Sequence, residues 1–461
     1  MTLKNKIKEI PGLQFVVDSM ELMSSAGMFR MLEQPFLTNV SEIDEEQQAV
    51  QIMREVLGSA DKVSAVNYLR HQLMQLHDIR TTLHNLQSGI LLSEVELFEI
   101  KHLSYLNGHA RKALSQLELN SYFLLPDLEE VFSLLDPDGT GVPNFYVYDS
   151  YDPRLQALRQ QMKRSDDSGM SDLLSQQNDV QQQVIERLCS HLRRYDEPLV
   201  ESMKQMAYMD FTMARAVLAK QWNLCLPSKG SMELKGLFNP RLRQHNESVG
   251  MRYQPIDINL VQGVTFVTGA NMAGKTVLLK SIGIAQLMYQ FGFMIPAVRA
   301  VMKPVDDVVF CIGDEQNEMN GLSSFAAEIT RISDVMRRSA QERLLILIDE
   351  PARTTNPVEG KALVQAIASI MQSRTSVTMI TTHYSQLGVP CRRLRVRGFV
   401  ESLVDVPLTA QNINRFIDYS LVPDDSDEAP QEALRIAEMI NCDTMLVEQA
   451  RKFLVSGKGC H

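Results

Sequence analysis

The chain has 461 residues, 44% of them hydrophobic and 22% charged, with a formal net charge of −10. That length exceeds one ordinary core and predicts two or three domains, while the composition is that of a folded globular protein and the acidic balance argues against global attraction to nucleic acid, leaving only a local basic groove. No run of about eighteen apolar residues occurs, MTLKNKIKEIPG lacks a signal-peptide core, and the six cysteines form no C-x-x-C pair, so a cytoplasmic protein with reduced thiols and no membrane association is expected.

The first part, residues 1–230, reads as helical. Leu69, Leu73, Leu76, Ile79, Leu83, Leu86 and Ile90 recur at spacings of three and four and predict one long helix. Ser93-x-x-Glu96 is a capping-box pattern ahead of a helix carrying Leu97, Ile100 and Leu103. Between 136 and 153 the stretch DPDGTGVPNFYVYDSYDP is rich in turn formers around a short β-prone run and predicts a turn leading into a short hairpin. Asp136, Asp138 and Gly141 imitate a calcium loop, but Val147 stands where that loop needs a bidentate glutamate. Pro153 after Asp152 suits a first helical position, and Ser165 to Asp172 reads as a polar loop. Val180, Val184, Leu188 and Leu192 form one stripe; beyond Pro198, Leu199, Met203, Met206, Met213 and Val217 form another, with the methionines as adaptable core filling.

From about Ser231 short apolar runs alternate with helical patterns, as in a mostly parallel sheet covered by helices. Val264 to Thr268 is a strand running into Gly269-Ala270-Asn271-Met272-Ala273-Gly274-Lys275-Thr276, which fits G-x-x-x-x-G-K-[ST]. Such a loop wraps phosphates in backbone N–H groups, reaches the β- and γ-phosphates with its lysine and holds Mg²⁺ with its hydroxyl. The helical stretch Val277 to Tyr289 follows and points its N-terminus at the phosphates. Downstream, Leu344 to Ile348 is a fully apolar strand ending in Asp349-Glu350, suited to a Mg²⁺ shell and to a base that positions or deprotonates water; in isolation the pair could equally be two solvated acids. A further strand, Ser376 to Thr382, ends at His383, which by itself reads as a structural hydrogen-bonding residue and beside the other motifs as a γ-phosphate sensor.

These segments resemble the MutS family of ATPases. TGANMAGKT is similar to that family's TGPNMGGKS loop, Phe291 to Ala297 (FGFMIPA) to its Gly-x-x-x-Pro-Ala segment, and Gly321 to Ile329 (GLSSFAAEI) to its G-x-S-T-F-x-x-E signature. Asp349 to Gly360 (DEPARTTNPVEG) is similar to D-E-x-x-R-G-T with its following acidic residue and glycine, and TTHY resembles the A-T-H-Y switch. The resemblance implies a mixed fold: an all-α core or lever-like domain over 1–230, an α/β P-loop NTPase domain over 231–410 and a C-terminal helical extension over 411–461. It implies an ATPase using ATP and Mg²⁺, in which Gly269, Asn271, Met272, Ala273, Gly274, Lys275 and Thr276 bind nucleotide. Thr276 and Asp349 would serve the metal, Glu350 would be the base and His383 the switch. Ser323 would reach the nucleotide of a second subunit, so a homodimer is implied. Phe238 or Tyr253 would stack on the adenine.

Ala270, Ala273, Ala352 and Thr354 depart from the family's usual residues, which predicts a stiffer loop in a divergent member. No counterpart of the mismatch wedge Phe-x-Glu is found, so mismatch specificity is not expected. Two functions remain open at this point. One is a DNA-directed ATPase of repair or recombination, with the alternating Arg393, Arg395 and Arg397 either a basic strand face toward phosphates or, more commonly for such a run, a solvated face. The other is an ATP-dependent reactivating factor for a coenzyme-B12-dependent aminomutase such as lysine aminomutase, as in MutS-like ATPases without mismatch domains.

Overall fold

The computed structural model describes residues 1–164, 167–269, 274–313, 324–400, 413–424, 434, 437 and 442–457. The apolar stripes of the first half become packed helices: α1 (Leu3–Glu9), α2 (Pro11–Asp18), α3 (Ser25–Leu32), α4 (Val40–Gly58), α5 (Val63–Met74), α6 (Arg80–Gln87), α7 (Glu94–Leu117), α8 (Glu129–Leu135), α9 (Pro153–Met162), α10 (Asp167–Leu192) and α11 (Asp196–Gln221). Ser93 and Glu96 form the expected capping box at the start of α7, and Asp152 caps α9 with Pro153 in its first turn. Helix α11 packs against α3, α4, α6 and α7, and its Met203, Met206, Met209 and Met213 are buried as core filling.

Three expectations are corrected. The long helix over Leu69 to Ile90 is two helices, because Asp78 turns the chain and accepts from the Arg80 N–H at 3.2 Å; Leu69 to Leu86 remain buried on one core, but Ile90 is exposed. No strand forms between 136 and 153. There the buried Lys101 ammonium donates to Asp136 Oδ1 (3.0 Å), Asn144 O (2.7 Å) and Tyr148 Oη (3.0 Å), so the loop is tied to one side chain instead of to a partner strand. The polar stretch at 167–172 already belongs to α10, its polar residues occupying an N-terminal turn.

The second half is α/β. Strands β1 (Ser228–Lys229), β2 (Met232–Leu237) and β3 (Ile256–Leu260) flank α12 (Pro240–Ser248), and β4 (Gly263–Thr268) leads to α13 (Lys275–Gln290). There follow β5 (Arg299–Met302), β6 (Asp307–Cys311), α14 (Ser324–Arg338), β7 (Leu344–Asp349), α15 (Pro357–Gln372), β8 (Val377–Thr381), β9 (Arg392–Phe399), β10 (Ile417–Pro423) and α16 (Thr444–Gly457). A small sheet has the order β1-β5-β2-β3, and a six-stranded sheet the order β10-β9-β4-β8-β7-β6, parallel except where β10 runs against β9. The region after 410, expected to be helical, therefore adds an edge strand before it adds a helix. One face of the large sheet shares a continuous core with α13 and the helical half; α14 and α15 cover the other.

The two halves meet at the end of α13. Phe291, Gly292 and Phe293, the start of the FGFMIPA segment, offer their carbonyls to Gln34 Nε2 (3.4 Å), Arg215 Nη1 (3.0 Å) and Gln47 Nε2 (2.9 Å) from the helices. Gly292 has φ +77°, and a Cβ there would fall onto Arg215 and Glu46, so only glycine suits both the turn and the contact.

Candidate active site

Parallel order puts the carboxyl ends of β4, β8 and β7 side by side, where ligands bind in open α/β sheets. β4 and β7 are buried because both sheet faces are covered; β7 is apolar until it ends at Asp349, and β4 buries Thr265 within it and becomes less buried only at Thr268. Thr381 of β8 lies between Val267 on one side and Asp349 on the other.

At this edge four of the sequence-predicted residues come together. Lys275, the first residue of α13, is buried with 3% of its side chain exposed; its Nζ donates to Gly269 O at 2.7 Å and lies 3.3 Å from Glu350 Oε1. Thr276 Oγ1 donates to Asp349 Oδ2 at 2.6 Å, although the two residues stand on different motifs 73 positions apart. Glu350 sits in the left-handed region at φ +45°, and its N–H donates to Thr381 Oγ1 (2.9 Å) and Thr381 O (3.2 Å). Arg353 Nη1 approaches Glu350 Oε2 at 3.4 Å from an exposed position, a contact that solvent screens.

The donor set fits the groups that the motifs imply. A hydroxyl and a carboxylate are hard oxygen ligands of the kind Mg²⁺ takes, and Mg²⁺ uses one or two carboxylates plus phosphates and water rather than an all-protein cage; among the described residues no cluster of three or more His, Cys, Asp or Glu forms such a cage. Gly274, at φ +70°, caps α13, and a Cβ there would meet the Tyr419 ring at 3.1 Å. Only glycine, with no Cβ and ready access to positive φ, suits a turn packed this closely against that ring.

His383 follows the end of β8 and is exposed, its ring 4.3 Å from that of Tyr384. Asn271, Met272, Ala273 and Ser323 lie outside the described residues. Phe238 is buried, with the Arg243 guanidinium 4.6 Å from its ring centre, and the Tyr253 hydroxyl accepts the Asn239 N–H at 2.8 Å. An aromatic ring that lies against the turn at Gly274 is that of Tyr419 on β10. Gln254 holds it there, donating to Asp418 Oδ1 (2.8 Å) and accepting the Tyr419 N–H (3.1 Å).

Sequence reasoning passed over three contributors. Thr381 was visible as the first residue of TTHY. Glu328 was visible at the end of the GLSSFAAEI signature: its carboxylate accepts the Ala352 N–H at 3.3 Å, and burial raises its pKa against that bond. Tyr419 had no signal, because its β10 pairing is a long-range event. On β9, Leu394 and Val396 are buried and Arg393, Arg395 and Arg397 alternate with them as expected; Arg397 pairs with Asp418 at 3.4 Å.

Comparison with known proteins gives a family model, MutS domain V, over residues 265–456. The Endonuclease MutS2 of Caldicellulosiruptor saccharolyticus is 30% identical over 220 residues, covering 47% of this chain and 27% of that protein. That of Thermus thermophilus is 33% identical over 235 residues (51% and 28%), and that of Geobacillus sp. 34% over 209 residues (45% and 26%). The matched region thus spans little more than a quarter of each relative.

Proposed function

We propose that the chain is a member of the MutS family through its domain V and a magnesium-dependent ATPase working as a dimeric, DNA-directed conformational switch. The observation that carries this reading is the 2.6 Å hydrogen bond between Thr276 and Asp349. It joins the end of the glycine-rich loop to the acid that closes an apolar strand, and phosphoryl transfer needs those two oxygens together. Thr276 and Asp349 would hold Mg²⁺, which when bound supplies charge neutralisation to the phosphates. Gly269 to Gly274 would wrap the phosphates with backbone N–H groups. Lys275 would exchange its contacts to Gly269 O and Glu350 for β- and γ-phosphate oxygens, releasing the Glu350 carboxylate to orient water and accept its proton. His383, just past the end of the strand between these two motifs, would sense the γ-phosphate, and Ser323 of a second subunit would complete the site.

DNA as the target is supported by the relatives, which are named endonucleases. On an acidic protein the contact must be local, and the β9 arginines are the candidate surface. Turnover of ATP by the purified chain, with and without Mg²⁺ and with and without branched duplex, tests the reading. Hydrolysis should require Mg²⁺ and respond to DNA. Lys275→Ala should lose roughly 100-fold in nucleotide affinity, the value of charge-assisted bonds to phosphate; hydrolysis by Lys275→Ala at the unmutated rate would overturn it.

A further inference from the structure

Thr381 opens the TTHY segment, at the position where the A-T-H-Y pattern it resembles has alanine. The residue is fully buried between β4 and β7. A threonine hydroxyl has one donor and two acceptor lone pairs. Here the proton goes to Asp349 Oδ1 at 2.5 Å, and a lone pair takes the Glu350 N–H at 2.9 Å. The other oxygen of Asp349 accepts from Thr276 at 2.6 Å. One hydroxyl from α13 and one from β8 thus hold the two oxygens of the carboxylate. Each Asp349 oxygen keeps a further lone pair, and the lone pairs of Thr276 stay free of the bond it donates. The same Thr381 atom helps to hold the N–H of Glu350 in a left-handed conformation that a non-glycine residue adopts only when its surroundings impose it.

We infer that Thr381 is a positioning residue of the hydrolytic site, fixing through one hydroxyl both the orientation of the metal-holding Asp349 and the turn that aims Glu350. The inference rests on the ATPase reading. It predicts that removing the hydroxyl weakens the use of the divalent ion and the chemical step while leaving nucleotide capture by the glycine-rich loop and Lys275 intact. Outer partners of metal-holding groups typically affect metal affinity or activity by about 10-fold or more.

The test compares Thr381→Val, which keeps shape and β-branching, Thr381→Ser, which keeps the hydroxyl, and Thr381→Ala, the family's own residue, in the full chain. Fluorescent ADP binding is titrated with Mg²⁺, Mn²⁺ binding is followed by electron paramagnetic resonance in the presence of ADP, and kcat and KM for ATP are measured separately. Thr381→Val and Thr381→Ala should need about 10-fold more Mg²⁺ and bind Mn²⁺ correspondingly more weakly, with kcat down about 10-fold and KM little changed. Thr381→Ser should recover most of each loss. Should Thr381→Val not fold, Thr381→Ala decides alone. Unchanged divalent-ion affinity and kcat in the folded variants would overturn the inference and leave the ATPase reading standing. An unmutated protein without Mg²⁺-dependent nucleotide binding or hydrolysis would remove the ATPase reading and this inference with it.

Discussion

Lys275 and Glu350 face each other at 3.3 Å with most of the lysine buried, so the charge proposed to bind phosphate is already paired within the protein. A buried cation is costly without a counter-charge, and Glu350 offsets that cost. The pair also sets a competition, because the carboxylate that assists the lysine must be given up before the lysine can reach a phosphate. Glu350→Gln removes the competitor and the base together. The variant should bind ATP at least as tightly as the parent while hydrolysis falls by about 100-fold to 10,000-fold, the range of general-base contributions. Equilibrium nucleotide binding beside single-turnover hydrolysis checks both halves; hydrolysis near the parent rate would remove Glu350 from the role. The four meeting residues were legible in the sequence because each closes a strand or opens a helix with a recognisable pattern. Thr381 was visible in TTHY but its role was not, since a threonine at a strand end looks the same whether its hydroxyl faces solvent or a carboxylate.

Strands and helices were legible to the extent that their signals are local. β4, α13, β7 and β8 appear nearly where short apolar runs and helical spacing put them, because a covered parallel sheet demands continuous apolar strands. The break between α5 and α6 was hidden, since both helices feed the same core and keep one periodicity across the turn. The segment around 136–153 failed for a different reason. Its β-prone residues Val147 and Tyr148 are buried, but Lys101 on α7 ties the segment down through the Asn144 carbonyl, the Tyr148 hydroxyl and the Asp136 carboxylate, and no strand pairs with it. This anchor supports a stability prediction. Burial raises the Asp136 pKa, but hydrogen bonds from Thr140, Gly141 and Lys101 together with the Lys101 charge outweigh it and bring the carboxyl down to about 2, below the ordinary range of an aspartate. A depressed folded pKa contributes stability above the unfolded value, and that contribution is lost as pH falls from about 4 toward 2. Lys101→Met leaves Asp136 charged, buried and short of its cation, and should cost about 3 to 5 kcal/mol at neutral pH. Urea unfolding should show that difference at pH 7 and a smaller one toward pH 3, where Asp136 begins to be neutralised. A cost below about 1 kcal/mol at pH 7 would mean that the loop is held by its apolar contacts instead.

Across the whole molecule, α13 is the element that both halves share. Its first two residues are Lys275 and Thr276, and the carbonyls just past its last turn are held by Gln34, Arg215 and Gln47, a span of roughly 24 Å. The FGFMIPA segment was visible as a motif, but its meaning as a joint was not, because its partners lie far away in the chain. Through that joint a nucleotide-dependent shift of the glycine-rich loop would be felt by the helical half as a rigid displacement. In the proposed dimer, Ser323 of one subunit would complete the nucleotide site of the other. A nucleotide that contacts both subunits binds the dimer better than the monomer, and linkage then requires nucleotide to strengthen association: a ligand at about 100 times its Kd stabilises the species it prefers by about 2.7 kcal/mol, or roughly 100-fold in the dimer constant per site. Glu350→Gln keeps ATP in place long enough to measure this. Sedimentation equilibrium of that variant should shift from monomer toward dimer on adding ATP and Mg²⁺, and the shift should be absent in Lys275→Ala. Mixing Ser323→Ala with Lys275→Ala subunits gives the sharper result. In the hybrid one site combines the intact lysine of the first with the intact serine of the second, so hydrolysis should reappear although each parent is impaired. Hybrids demonstrated by mass that recover no hydrolysis would rule out completion of the site by a second subunit.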